Sequence, residues 1–212
     1  MSLPHVLVLP GLGGAGPAHW QNWLAGELAR HGGSVDVPEF SAPDAPRLDV
    51  WLDELRGHLA AARVSSARVS SGQVSSGQVS SGQERVVVAH SLACLLWLHH
   101  AAGEFDGALR VDRVLLVAPP APGPAGEPFA RGFPHPVPDP VSVRRAAVST
   151  RLVVGEGDPC CSLRQAKGLA EALRLDLDVV VGGGRLDEES GYGSWGSVLK
   201  WARSGRTPLT PR

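Results

Sequence analysis

Short apolar runs without alternation constrain this chain more than any other feature. Val6-Leu7-Val8-Leu9, Val86-Val87-Val88-Ala89, Val114 to Ala118 and Leu152 to Val154 carry no polar residue at all. A strand with one wet face alternates apolar with polar. A strand with none polar is covered on both faces, as in parallel sheets packed between helical layers. The segments between these runs have helical period. Trp20, Trp23, Leu24 and Leu28 recur at that spacing until Gly32-Gly33, and Leu48, Trp51, Leu52, Leu55 and Leu59 share one face of residues 47–63. Residues 92–102 are apolar nearly all round, so that helix is buried. Further helices are predicted over 162–173 and 194–203, and shorter strands over Val35 to Val37 and Leu177 to Val181. The order β-α-β-α-β-α-β-loop-β-α-β-α predicts about six mostly parallel strands with helices on both faces, a three-layer α/β sandwich. In such sheets ligands sit beyond the carboxyl ends of the strands, where strand order reverses.

The 212 residues suit a single domain, 1–212, large enough to bury its own core. With 43% hydrophobic and 19% charged residues and a net charge of -1, nothing favours a nucleic-acid partner. No run of about 18 apolar residues crosses a membrane. The approach to Val6 is too short and too uncharged for a signal peptide, so the expected location is cytoplasmic. Cys94, Cys160 and Cys161 form neither a disulfide framework nor a paired metal motif, so no metal and no cofactor are expected.

Two segments break the alternation. Residues 64–83 repeat a five-residue unit, VSSAR followed by three VSSGQ copies. A period of five fits neither a helix face nor a pleated strand, so a flexible inserted loop is expected there. Residues 119–140 hold nine prolines and predict an irregular connection above the sheet edge, of the length that often borders a binding site.

Three loops after predicted strands carry chemistry. Ala89-His90-Ser91-Leu92-Ala93 is strand, sharp turn and helix. It matches the nucleophile elbow G-x-S-x-G with alanine at both glycine positions, which puts Ser91 above the sheet at a helix N-terminus. A serine there also suits a plain helix cap, and the pentapeptide alone does not choose. The first strand ends in Pro10-Gly11-Leu12-Gly13-Gly14, a loop able to supply one oxyanion donor. The backbone amides of Leu12 and Leu92 are then the natural pair. Neither G-x-G-x-x-G nor a P-loop lysine is present, so phosphate binding is disfavoured. A later strand ends in Gly155-Glu156-Gly157-Asp158-Pro159, where a triad carboxylate belongs in the order serine, acid, histidine; a turn aspartate before proline is the plainer alternative.

These motifs occur in one order together with His19-Trp20-Gln21, Ala118-Pro119-Pro120, Cys161-Ser162 and Glu189-Ser190-Gly191-Tyr192-Gly193-Ser194-Trp195. In that order they resemble the small serine hydrolases of the YdeN and retinoblastoma-binding-protein-nine type, over nearly the whole chain outside 64–83. The resemblance implies a minimal α/β-hydrolase fold, a Ser-Asp-His triad and small ester or acyl substrates. By position, Ser91 is the nucleophile and Asp158 the acid. One member departs. Where the family pattern has Gly-His just before the stretch like Asp187-Glu188-Glu189-Ser190-Gly191, this chain has Gly184-Arg185.

A guanidinium offers no lone pair to accept the serine proton. Two other histidines sit on loops able to reach Ser91: His19 after the glycine-rich loop and His135 in the proline-rich one. The expected activity is therefore serine hydrolysis weakened by a missing base or served by a displaced one. The alternative is a pseudoenzyme that binds a small anionic ligand or a protein partner, with Arg185 pairing Asp158 or holding the anion.

Overall fold

The computed structural model describes residues 3–71, 83–104, 106–123 and 129–212, with the backbone alone for 65–71. Its centre is a six-stranded sheet made of β1 (His5–Leu9), β2 (Ser34–Asp36), β3 (Arg85–His90), β4 (Val111–Val117), β5 (Ala147–Gly155) and β6 (Asp176–Val180). The strands lie in the order β2-β1-β3-β4-β5-β6, and every pairing is parallel. The chain leaves β1 toward β2 on one side and returns to β3 on the other. Strand order therefore reverses between β1 and β3, and the loops after those two strands diverge over a crevice.

Side chains alternate between two cores although neither face is polar. Leu7, Leu9, Val87, Ala89, Val114 and Leu116 pack with α2 (Leu48–Ser71), α3 (Leu92–Ala102), α4 (Pro140–Ala146) and α5 (Leu163–Leu173). Val6, Val8, Val86, Val88, Leu115 and Val117 pack with α1 (Trp20–Arg30) and α6 (Gly196–Ser204). This is the expected three-layer arrangement. It also explains why α3 is apolar on most sides: Leu92 through Leu98 are all buried, with the sheet beneath and α2 and α4 alongside.

Three expectations need correction. The proline-rich connection ends in a helix, α4, with the Asp139 side chain accepting from the Val141 N–H and Pro140 in the first turn. There the missing proline N–H costs nothing, because the first helical amides have no intrahelical partner. β5 starts at Ala147, well before Leu152, because its first half is partly exposed and therefore mixed in polarity. The first helical copies of the five-residue unit extend α2 to Ser71; the remainder of the predicted loop, 72–82, lies outside the described residues.

The loop after β6 is anchored from the α1 side. Trp20 donates its indole N–H to the Leu186 carbonyl at 2.7 Å and meets Trp195 edge-on. Leu186 is fully buried with φ at 53°, a left-handed conformation that a leucine adopts only when its surroundings impose it. Trp20→Phe should strand that carbonyl and cost about 1–3 kcal/mol. The urea midpoint should fall with the denaturant slope unchanged.

Candidate active site

Ser91 sits where β3 becomes α3, with φ 52° and ψ -121°. It makes no side-chain cap to the helix, which removes the plain capping explanation. Its N–H donates to the Val117 carbonyl at 2.9 Å, and its carbonyl accepts from Cys94 N–H at 3.0 Å. Ala89 and Ala93 on either side are completely buried, so nothing larger fits without displacing the turn. Cys94 lies beneath, its thiol within 3.3 Å of both the Ala89 and Val117 carbonyls, and burial raises its pKa far above the thiol range. It is a filler, as expected of a buried free cysteine.

The loop after β1 lies directly on this turn. A Cβ on Gly11 would come within 2.9 Å of both Ser91 Cβ and the His90 carbonyl, and 3.3 Å of the Leu92 nitrogen. Only glycine permits that approach. Gly13 N–H donates to Pro43 and Gly14 N–H to Gly11, while among the described residues the Leu12 amide donates to no protein group. Leu12 and Leu92 thus flank the serine from the two loops that border the crevice.

The acid and the arginine arrive from β5 and β6. A Cβ on Gly155 would collide with the Gly183–Gly184 backbone, and Gly184 N–H donates to the Glu156 carbonyl at 2.9 Å. The bare contact joins the two loops. Asp158 accepts from Cys160 N–H through Oδ1 at 2.7 Å, while Oδ2 is buried with no partner. Burial raises its pKa, against the opposing influence of the Cys160 N–H and the nearby Arg185 charge.

Arg185 points at the serine. Its Nη2 donates to Ser91 Oγ at 2.7 Å, and its guanidinium lies 5.1 Å from the Phe129 ring centre. Among the described residues no ion pair joins it to Asp158. The Asp158–Arg185 pairing considered from the sequence is thus not the arrangement adopted.

Among the described residues neither candidate substitute histidine hydrogen-bonds Ser91, whose hydroxyl is met by Arg185. Gln21 N–H donates to His19 Nδ1 at 3.2 Å, so the neutral ring carries its proton on Nε2. Burial lowers the His19 pKa to about 4, which keeps the ring neutral at physiological pH. His19 lines a cleft of about 440 Å³ with Arg185, Gly16 and the carboxylates of Asp187 to Glu189, and there it presents an N–H donor. His135 lines a different cavity with Leu98 and Pro138. Sequence reasoning missed His90 as a support: its Nε2 lies 3.3 Å from the Arg185 carbonyl and its ring 4.9 Å from that of His19. The Phe129 contact and the Cys160 amide also had no sequence signal. Among the described residues no cluster of His, Cys, Asp or Glu could hold a metal, and no helix is long and apolar enough to cross a membrane.

A parallel sheet flanked by helices, with a strained serine between the loops after β1 and β3, defines an α/β-hydrolase-like protein. The serine hydrolase family model matches residues 6–69 and 72–203, and the chain belongs to that family of hydrolytic enzymes. Solved structures share the fold. The ydeN gene product of B. subtilis aligns with a TM-score of 0.70 at 21% identity, over 93% of this chain and 95% of that one. A YdeN-like hydrolase from Pectobacterium atrosepticum gives 0.65 at 22% identity, over 94% and 89%. One of the carboxylesterases of Nitrososphaera gargenis gives 0.58 at 13% identity, over 86% and 84%. No curated protein matches the chain.

The Asp158 carboxylate carries a pH signature. Its folded pKa is raised, so between its ordinary value and the folded value the native state holds more proton than the unfolded one. Stability therefore falls as pH rises through that window. Asp158→Asn should be more stable than the wild type near neutral pH, and the two should converge below the carboxylate range, as read from denaturation midpoints across pH.

Proposed function

We propose that this enzyme hydrolyses small ester or acyl substrates through Ser91, slowly, with the Leu12 and Leu92 amides holding the developing oxyanion. The observation that carries this reading is the Ser91 backbone. A non-glycine residue in that conformation costs about 1–3 kcal/mol and recurs where the strain serves a site. Here the strain lifts a hydroxyl out of the helix-capping position and into the crevice between two amide-bearing loops.

The turnover is slow because proton transfer lacks an imidazole. Arg185 donates to Ser91 Oγ and stabilises an alkoxide once formed, but it cannot take the proton. Removal of that proton falls to solvent hydroxide, which becomes water. The alkoxide then attacks the acyl carbon, the leaving group is protonated from water, and hydroxide releases the acyl group from Ser91. Losing the base withdraws the roughly 10²–10⁴-fold that positioned proton transfer contributes, while the oxyanion donors still act. The orphaned Asp158 Oδ2 supports this reading, since it is an acceptor with nothing in the place of an imidazole N–H. A cytoplasmic location is supported by three free thiols, which suit a reducing compartment.

A second reading is favoured by the same Arg185 contact. The guanidinium, the His19 N–H and two amides are donors grouped around Ser91, and such a group suits a small carboxylate held without chemistry, with Asp187 to Glu189 on the far side of the cleft. Fluorophosphonate labelling separates the two. Faint wild-type labelling lost in Ser91→Ala, and raised at least about 100-fold in Arg185→His, supports slow hydrolysis. No labelling of the wild type over hours favours the binder. For the hydrolase, the logarithm of the wild-type rate should climb steadily from pH 6 to 9, whereas Arg185→His should level off above the imidazole range near 6.5.

A further inference from the structure

On the α3–α5 side of the sheet lies a cavity that the chemistry above leaves unused. It measures about 310 Å³ and lies between α3, α5 and the proline-rich connection. Its walls begin where the candidate site ends. Leu95 stands one helical turn beyond Ser91, Pro120 and Ala121 follow the end of β4, and Cys161 comes three residues after Asp158. Helical side chains lean toward the helix N-terminus, so Leu95 leans back over the Ser91 turn. Ala121 N–H donates to the Cys160 carbonyl at 2.9 Å, tying the β4 and β5 loops together along this wall.

The described lining is mostly apolar. Leu98, Leu169, Pro136 and Pro138 line it too, and among the described residues Gln165 and His135 bring polar side chains to it. Gln165 is engaged elsewhere: its Oε1 accepts from Ser162 N–H at 3.1 Å and Oγ at 2.7 Å, and its Nε2 donates to Pro122 O at 3.4 Å. His135 is held neutral, its pKa lowered by burial and by His99, and its Nε2 is buried without a partner. Among the described residues no charged side chain lines the cavity. Such a space rewards hydrocarbon over water, and an uncharged apolar hollow with few polar groups is the usual form of a small-molecule site.

We propose that this cavity is the acyl-chain subsite of the enzyme, taking the aliphatic tail of a medium-chain ester or acyl substrate whose carbonyl lies at Ser91. This rests on the hydrolase reading and narrows its substrate class. At about 30 Å³ per water-sized group, the volume of the cavity matches a chain of roughly eight to ten carbons. Each methylene buried should strengthen binding about fourfold, the factor corresponding to about 0.8 kcal/mol.

The test fills the cavity from its own wall. Gly168 lies within α5 and lines the cavity, and a Cβ added there meets nothing within 4 Å. Gly168→Leu places a side chain in the hollow and improves helix propensity, so folding is not at risk. Butanoate, hexanoate, octanoate and decanoate are titrated calorimetrically against the wild type, Ser91→Ala and Gly168→Leu. We expect affinity to rise about fourfold per methylene in the first two proteins and to stay flat in Gly168→Leu. A flat series in the wild type, or a rising one in Gly168→Leu, overturns the subsite. Carboxylate binding needs no reaction at Ser91, so a serine silent toward fluorophosphonate overturns the hydrolase reading alone. With p-nitrophenyl esters, wild-type kcat/KM should climb from acetate to octanoate, and a flat series there also overturns the subsite.

Discussion

The backbone of Ser91 is the constraint on which the top of the molecule depends. A chain passing from a parallel strand into a helix has no need of a residue at φ 52°. The surroundings enforce it from every side: the Val117 carbonyl holds the amide, Ala89 and Ala93 leave no slack, and Gly11 presses its own backbone against the turn. Because strand order reverses at this same place, the loop after β1 is free to lie on the elbow. The cost of the strained residue is met by the two packed cores below it.

A second constraint fixes what faces the serine. The Gly155 contact with Gly183–Gly184 draws the β5 and β6 loops together, and Trp20 and His90 hold the carbonyls of Leu186 and Arg185 from behind. Whatever side chain stands at 185 is thereby aimed at the elbow. Here it is an arginine, which contributes charge and donors and no proton acceptor. Asp158, placed to receive a hydrogen bond on Oδ2, receives none. On the function proposed above, the proton-handling part of the site is the one that has been exchanged.

Much of this was legible in the residues. Short valine-rich runs between helical segments read as strands covered on both faces, so the sheet and its layers followed. Ser91, Asp158 and Arg185 were readable because each follows a predicted strand and because their order resembles a known family. What was hidden depended on contacts across the fold. α4 was concealed because its prolines read as breakers, although Asp139-Pro140 is a helix start. The outer half of β5 was concealed because partial exposure mixes its polarity. The role of His19 turned on which ring nitrogen the Gln21 amide occupies, and the direction of Arg185 on where Phe129 lies.

The long second helix separates two fates within one chain. At 1.5 Å per residue its 24 residues span about 36 Å, against about 20 Å for the six-residue strand β3 that follows. It runs antiparallel to the strands, so its end at Ser71 lies at the sheet end opposite Ser91, the end at which the chain re-enters β3. The helix therefore carries the start of the repeated segment away from the elbow. The start of the repeated segment and the strained serine thus stand at opposite poles of the same sheet.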